Sequence, residues 1–175
     1  MATGAQIKNI NDIFNYTFAG KAQVTIVDEN TGERITFKFS RAKDRVTKES
    51  KDVWFIWAQD GNTKRFAGTI FGKPGIDATY SWGKKNHHER DSLIMGYMKA
   101  FINRLGIDIR NNGRKLIAIN EMPEHIQIWH EGKCGHCGKT LTVPLSIENG
   151  IGPVCQNRIE NDPNIVIKSY QRINN

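Results

Sequence analysis

The chain has 175 residues, enough for one substantial hydrophobic core or for one core and a small additional module. Hydrophobic residues make up 38% of it and charged residues 25%, as in ordinary soluble globular proteins, and no apolar stretch approaches the ~18 residues that favour a membrane span. The net charge of +7 is uneven, because residues 1–120 carry 20 Lys and Arg against 12 Asp and Glu, whereas residues 121–175 carry 5 against 6.

Several segments of the first half are rich in β-branched and aromatic residues and are bounded by turn residues, which predicts an antiparallel sheet. The pair 22–28 and 34–40 flanks the turn-like residues 29–32, and the pair 53–58 and 65–71 flanks residues 59–62. Each pair therefore predicts a hairpin. A further entry strand is predicted over residues 14–20.

Residues 72–90 are rich in Gly and Lys and predict a long loop. After them, apolar residues recur at helical spacing from Leu93 to Leu105, which predicts an amphipathic helix that ends at Gly106. Short strands are predicted at 116–119 and 125–129. The predicted fold class is α+β: an antiparallel sheet with one packed amphipathic helix in residues 1–120, followed by a small C-terminal zinc ribbon or knuckle in residues 121–175.

All three cysteines, Cys134, Cys137 and Cys155, lie in this C-terminal part. An odd number of cysteines, with no signal-peptide pattern in the first ten residues, argues against disulfides and for metal-bound thiolates in a reducing compartment. We therefore expect the chain to stay in the compartment where it is made. The Cys-x2-Cys spacing lets one tight turn present two thiolates to one ion, so we predict a structural Zn²⁺ bound by the three cysteines.

A closed structural zinc site needs a fourth ligand, and we predict His130, which precedes Cys134 by four residues. The alternatives are His136, His125, an acidic residue or water. Glu131 beside His130 invites comparison with catalytic zinc sites of deaminases, but the order and spacing of the motif differ. Together with the absence of Walker or Rossmann glycine patterns, this leads us to expect no enzyme activity.

The segment WHEGKCGHCGKTLTVPLSIENGIGPVC, residues 129–155, resembles the zinc-ribbon motif of an uncharacterised family of phage and prophage proteins. The matching positions include His130 and the three cysteines, and Lys133 and Lys139 stand where arginine is usual. Segments at 18–25, 31–36 and 68–71 resemble the N-terminal part of the same proteins more loosely. The resemblance implies a phage origin, expression in the cytoplasm of the bacterial host and a structural zinc, and it supplies no biochemical activity.

The excess positive charge of residues 1–120 favours an anionic partner. Cations and rings that suit phosphates and unpaired bases lie in two clusters: Lys73, Tyr80, Trp82, Lys84, Lys85 and Arg90 in the predicted loop, and Arg41, Lys43 and Arg45 before it. The first hypothesis is that this basic region binds nucleic acid, single-stranded in particular. The alternative is an inhibitor that binds a host defence protein or host enzyme, for which the neutral-to-acidic zinc module is better suited. The oligomeric state is not specified by the sequence.

Overall fold

The computed structural model describes residues 4–86, 88–89, 92–109 and 118–161. In these ranges the chain forms seven strands and four helices. The strands are β1 (Ala5–Ile7), β2 (Lys21–Asp28), β3 (Arg34–Lys43), β4 (Ser50–Asp60), β5 (Thr63–Phe71), β6 (Thr79–Ser81) and β7 (Ile126–His130). The helices are α1 (Ile10–Thr17), α2 (Leu93–Arg104), α3 (Pro144–Asn149) and α4 (Pro153–Asn161).

The strands form one sheet in the order β1-β7-β2-β3-β4-β5-β6, and every neighbouring pair is antiparallel. The two predicted hairpins are confirmed, since β2 pairs with β3 and β4 pairs with β5. The predicted α+β class, with a mainly antiparallel sheet and a C-terminal cysteine cluster, is also confirmed.

Two predictions about individual elements are wrong. Residues 14–20 do not enter as a strand, because most of them belong to α1, which begins where the Asn9 side chain accepts hydrogen bonds from the backbone N–H groups of Asn11 and Asp12. The predicted loop 72–90 contains β6, which extends the sheet beyond β5. The strand predicted at 116–119 lies largely outside the described residues.

The core fills the space between one face of the sheet and the helices α1 and α2. The predicted helix is confirmed as α2, which begins at the capping residue Ser92 and buries Met95, Met98 and Phe101. Phe18, just after α1, makes edge-to-face contacts with Phe39 of β3 and Trp54 of β4. We call the side of the sheet that these helices cover the inner face and the opposite side the outer face.

The strand β7 lies beyond the predicted boundary at residue 120, yet it occupies a position inside the sheet between β1 and β2. Its last residue, His130, lies opposite Ala5 on one side and Val24 on the other. The division into domains 1–120 and 121–175 stays a prediction, but this strand ties the sheet to the cysteine-containing segment that follows. No helix in the described part of the chain is both long and apolar enough to cross a membrane.

Candidate functional site

The first two cysteines lie in a short hairpin that follows β7. Lys133 forms an isolated β-bridge with Thr140, and the N–H of Leu141 donates to the carbonyl of Gly132. At the tip, the N–H of Gly138 donates to the carbonyl of Cys134 at 2.9 Å, and Gly138 has a φ of +80°, a conformation that glycine adopts without strain. This turn brings Cys134 and Cys137 to the same side, as the Cys-x2-Cys spacing predicts.

Cys155 reaches the other two cysteines from the first turn of α4. The three sulfur atoms lie within 4.8 Å of one another, and all three cysteines are free of disulfides. They share a small apolar cluster with Ala19, Leu141, Ile151 and Ile159, separate from the main core. We call residues 130–161, which carry this cluster, the metal module.

Two backbone N–H groups point at the Cys134 sulfur. Those of His136 and Gly152 each donate to it at 3.4 Å. These two N–H dipoles place partial positive charge beside the sulfur. The start of α4 adds the positive end of a helix dipole near Cys155, which acts in the same direction.

The three thiols do not ionise equally. Burial raises the pKa of the Cys155 thiol to about 12, and the neighbouring sulfurs of Cys137 and Cys134 contribute to the rise. Burial also opposes ionisation of Cys137, but hydrogen bonds from the Lys139 backbone and from the other two thiols bring its pKa below the ordinary value. Three thiolates at this spacing therefore need a cation among them.

The sulfur positions fit a metal ion. In a tetrahedral zinc site with Zn–S bonds of about 2.3 Å, the sulfurs lie about 3.8 Å apart, which the observed separations of up to 4.8 Å approach. None of the three cysteines forms a disulfide. The three cysteines could thus hold a metal ion, and among the described residues no fourth His, Cys, Asp or Glu joins this group.

His130, predicted as the fourth ligand, is not brought to the sulfurs. Its Nδ1 accepts a hydrogen bond from the N–H of Gly132 at 2.8 Å, and its Nε2 lies 2.5 Å from the carbonyl of Ile147. An accepting Nδ1 requires the neutral tautomer with the proton on Nε2, and burial lowers the pKa of His130 in agreement with this. In this structure both ring nitrogens join β7 to α3 and neither lies with the sulfurs, so His130 as the fourth ligand stays a prediction that this geometry does not support.

The alternative ligand His136 is not part of the group either. Its Nδ1 is buried without a hydrogen-bond partner among the described residues. Its pKa is lowered, first by burial and then by the nearby cations Lys43, Arg158, Lys21 and Arg41. His136 therefore faces a positively charged environment formed by cations of the sheet and of α4.

The metal module is packed directly on the sheet domain through Tyr16 of α1. A Cβ atom placed on Gly135 or on Gly150 would lie 2.6 Å from Cδ2 of the Tyr16 ring, so only glycine fits at either position. The Tyr16 hydroxyl donates to the carbonyl of Gln23 at 2.8 Å, and the carbonyl of Gly135 accepts from the N–H of Lys21 at 2.7 Å. Sequence reasoning did not find this contact, because it depends on which glycine meets which ring.

The residues predicted to bind nucleic acid separate into three groups. Lys73 of one predicted cluster and Arg41 and Lys43 of the other line a single cavity of about 470 Å³ at one end of the sheet. Arg45, Lys84 and Lys85 are exposed. Arg90 lies outside the described residues.

The two rings predicted to stack on bases are placed differently from the prediction. Tyr80 is only 5% exposed, and its hydroxyl donates to the carbonyl of Ala67, so it is a core residue and its assignment as a stacking residue is corrected. Trp82 is half-buried against the core, and Nζ of Lys99 lies 5.8 Å from the centre of its ring. Neither ring projects from a loop.

Aromatic side chains instead occupy the outer face of the sheet. Successive side chains of a strand point to opposite faces, so Phe55 and Trp57 of β4 lie on the outer face because Trp54 and Ile56 point inward. Residues that lie opposite each other on neighbouring antiparallel strands point to the same face. Phe66 and Phe71 of β5 lie there too, since they pair with Trp57 and Val53. Phe55 is 38% and Phe71 49% exposed. We call this surface, formed by Lys38, Phe55, Trp57, Lys64, Phe66 and Phe71, the aromatic face.

The aromatic face combines these rings with cations. Lys38 lies directly opposite Trp57. Lys64 reaches across from β5 to Gln23 of β2, where its Nζ donates to the side-chain oxygen at 2.9 Å, so its charge lies over the sheet. The residues of β3, β4 and β5 that point to the outer face include no carboxylate.

Comparison with known proteins adds information about the metal module. Residues 130–159 match the model of a family of unknown function, DUF6011, and this segment contains all three cysteines. No curated protein and no solved structure matches the chain. The likeness is therefore limited to the segment around the cysteine cluster and does not extend over the sheet.

Proposed function

We propose that this chain is a phage accessory protein that binds single-stranded nucleic acid through the aromatic face of its sheet, and that a structural zinc ion holds its metal module. The phage origin and a place in the host cytoplasm rest on the resemblance of residues 129–155. The nucleic-acid function is carried by one observation: an open sheet face on which rings and lysines stand together without acidic residues.

The choice of zinc follows from the donor set. Thiolates are soft ligands that suit zinc, and zinc sites with cysteine ligands commonly stabilise small modules whose apolar core is too small to fold alone. Cys134, Cys137 and Cys155 would hold the ion, and its charge would offset the repulsion among their sulfurs. The apolar cluster around them has few members, so metal binding contributes directly to folding of the module.

The rings of the aromatic face are spaced suitably for an extended strand. Phe55 lies opposite Thr69 and Phe71 opposite Val53, so the two exposed phenylalanines are diagonal neighbours, about 7–8 Å apart at their backbones. Successive unpaired bases could stack on them, each contributing about 1–3 kcal/mol. The bases of a single strand are free to stack on protein rings, whereas the bases of a duplex are already stacked on each other. The exposed rings therefore favour the single-stranded form.

The lysines of the aromatic face supply phosphate contacts. Lys38 and Lys64 lie beside Trp57 and Phe66, so a strand whose bases stack on the rings has its backbone next to the cations. The exposed Lys84 and Lys85 lie close to this face, because their neighbour Gly83 is next to the ring of Phe66. A Cβ atom added to Gly83 would lie 3.3 Å from that ring. Each phosphate that is neutralised on a single strand gives a slope of about −0.7 in a log–log plot of affinity against salt.

The test is a titration against a fluorescent single-stranded oligonucleotide at several salt concentrations. Phe71→Ala should weaken binding by about five- to a hundredfold with little change in the salt slope, because stacking releases few ions. Lys64→Gln should reduce the slope by about 0.7. Leu145→Ala removes a comparably exposed apolar side chain from α3 of the metal module and should change neither quantity. Absence of binding at low salt would refute the proposal.

The alternative function, an inhibitor that binds a host defence protein or enzyme, is favoured by a different surface. The metal module exposes Val143, Leu145 and Val154, and the last two are 66% and 65% exposed. Exposed apolar side chains on a small module suit protein contact better than phosphate contact. Affinity purification from expressing cells after nuclease treatment discriminates the two: a retained host protein that is lost with Leu145→Ser supports the alternative.

A further inference from the structure

A cavity of about 470 Å³ opens at the end of the sheet where the sheet domain meets the metal module. It lies between the start of β2, the end of β3, the start of β4 and the segment after β5, with His136 of the cysteine hairpin on its wall. We call it the basic cavity, and its lining residues are Ala19, Gly20, Lys21, Arg41, Lys43, Glu49, Ser50, Asp52, Lys73 and His136.

The wall of the basic cavity carries four cationic side chains and two carboxylates. Asp52 is already paired with Arg41, whose guanidinium donates to it at 2.9 Å. Lys21, Lys43 and Lys73 have no ion-pair partner among the described residues, and Glu49 opposes them with a single negative charge. The cavity therefore carries a positive surplus of two charges, with its lysines exposed at the rim.

Arg41 is held in a fixed orientation. Its Nε donates to the carbonyl of Lys51 at 2.7 Å, and its guanidinium lies 4.7 Å from the centre of the Trp54 ring. The ion pair with Asp52 adds a third restraint. The positive wall of the cavity is thus preorganised, whereas the three lysines can adjust to a ligand.

We propose that the basic cavity binds a phosphate group that carries two or more negative charges, either on a free nucleoside polyphosphate or at the 5′ end of a polynucleotide. The site goes beyond the nucleic-acid function proposed above, because it depends on Lys43 and Lys73, which are not part of the aromatic face.

The composition of the cavity selects for phosphate charge over base recognition. Lysine and arginine are the residues that bind phosphate oxygens. Apart from the imidazole of His136, no aromatic ring of the described residues lines the cavity, so a nucleobase has no stacking partner among them. The volume falls within the roughly 300–1,000 Å³ of small-molecule sites and exceeds what one inorganic phosphate fills, which favours a polyphosphate or a strand end.

The first experiment uses pyrophosphate as the probe and calorimetric titration of the metal-loaded protein at low ionic strength. One pyrophosphate per chain should bind, and Lys43→Gln and Lys73→Gln should each weaken it about tenfold, as expected when one charge-assisted hydrogen bond is lost. Lys8→Gln removes the same charge just after the edge strand β1, which does not line the cavity, and should leave affinity unchanged. Thermal melting and metal content, measured for every variant and after each titration, exclude unfolding or metal loss as the cause.

A second experiment distinguishes the two sources of the phosphate. A 5′-phosphorylated oligonucleotide that binds more tightly than its 5′-hydroxyl counterpart, with the preference abolished by Lys43→Gln, would support the strand end. Equal binding of the two strands, together with a nucleoside triphosphate that competes with pyrophosphate, would support the free nucleotide.

The proposal is overturned if pyrophosphate does not bind, or if Lys8→Gln weakens it as much as the two cavity variants do. If oligonucleotides still bind through the aromatic face in that case, only the basic cavity has failed. If pyrophosphate binds and no oligonucleotide does, the cavity stands and the nucleic-acid function fails.

Discussion

Replacing Gly135 by alanine tests how the metal module is joined to the sheet. The new Cβ would lie 2.6 Å from Cδ2 and 2.9 Å from the backbone oxygen of Tyr16, and that oxygen cannot turn away as a side chain can. The segment cannot easily retreat, because the N–H of Gly135 donates to Gly150 and its carbonyl accepts from Lys21. Overpacking costs about 1–3 kcal/mol and one weakened hydrogen bond about 0.5–1.5 kcal/mol, so we expect destabilisation by about 2–4 kcal/mol.

The measurement is denaturant unfolding in the presence of excess zinc, so that metal affinity does not limit stability. The φ of Gly135 is not positive, so backbone strain does not contribute to the change. Gly96→Ala is the matched control: its Cβ meets nothing within 4 Å, and alanine in α2 should stabilise the protein by about 1 kcal/mol. If Gly135→Ala unfolds at the same denaturant concentration as the unmodified chain, the contact with Tyr16 does not join the two parts as argued.

Three further predictions concern the metal, His130 and acid stability. Cys155→Ser should abolish the single bound metal ion seen by native mass spectrometry; retention of a full equivalent would exclude this cysteine as a ligand. His130→Ala should keep the metal stoichiometry but lower stability, because the partners Gly132 and Ile147 lose their hydrogen bonds; loss of metal without loss of stability would restore His130 as a ligand. The Tyr97 hydroxyl, 2.5 Å from the Asp28 carboxylate, lowers the pKa of Asp28, so this stabilisation is present above about pH 4 and is lost as pH falls further. Tyr97→Phe should make the acid loss of stability shallower, and an unchanged acid limb in pH-dependent melting would contradict this.

The parts of the fold that follow from local patterns were predictable. The β2–β3 hairpin alternates apolar and polar residues on either side of a turn, and the stripe from Leu93 matches one helix face, so local periodicity determines both. The turn that carries Cys134 and Cys137 was also predictable, since Cys-x2-Cys with Gly138 defines a tight turn. In each case the residues that decide the structure are close together in the sequence.

Sequence patterns were less informative where the local structure depends on residues that are far away in the sequence. The segment at 14–20 contains apolar and β-branched residues that read as a strand, but packing of Phe14 and Phe18 on the sheet favours a helix. His130 has the spacing of a ligand, yet pairing of β7 with β2 places its ring where Gly132 and Ile147 take both nitrogens. The spacing of residues along the chain does not report these partners.

The aromatic face was missed although β4 contains a signal for it. Trp54 and Ile56 fill one face of the strand, so the adjacent Phe55 and Trp57 must occupy the other. A strand that is apolar on both faces is normally buried on both sides, and here no described helix covers the outer face near Phe55 and Phe71. An exposed apolar face beside lysines is the feature of this fold that suggests a ligand-binding surface.

The metal module and the sheet both contribute residues to the wall of the basic cavity. Gly135, one residue from Cys134, fixes Lys21 at the start of β2 by a backbone hydrogen bond, and His136 lines the basic cavity beside it. A metal ion that orders the cysteine hairpin therefore also orders one wall of that cavity. The aromatic face is formed by β3, β4 and β5, which lie farther along the sheet, so its geometry depends on the core formed with α1 and α2 more than on the metal. If a metal ion occupies the three cysteines, the metal module would thus help to shape the basic cavity, although the module carries no excess positive charge of its own.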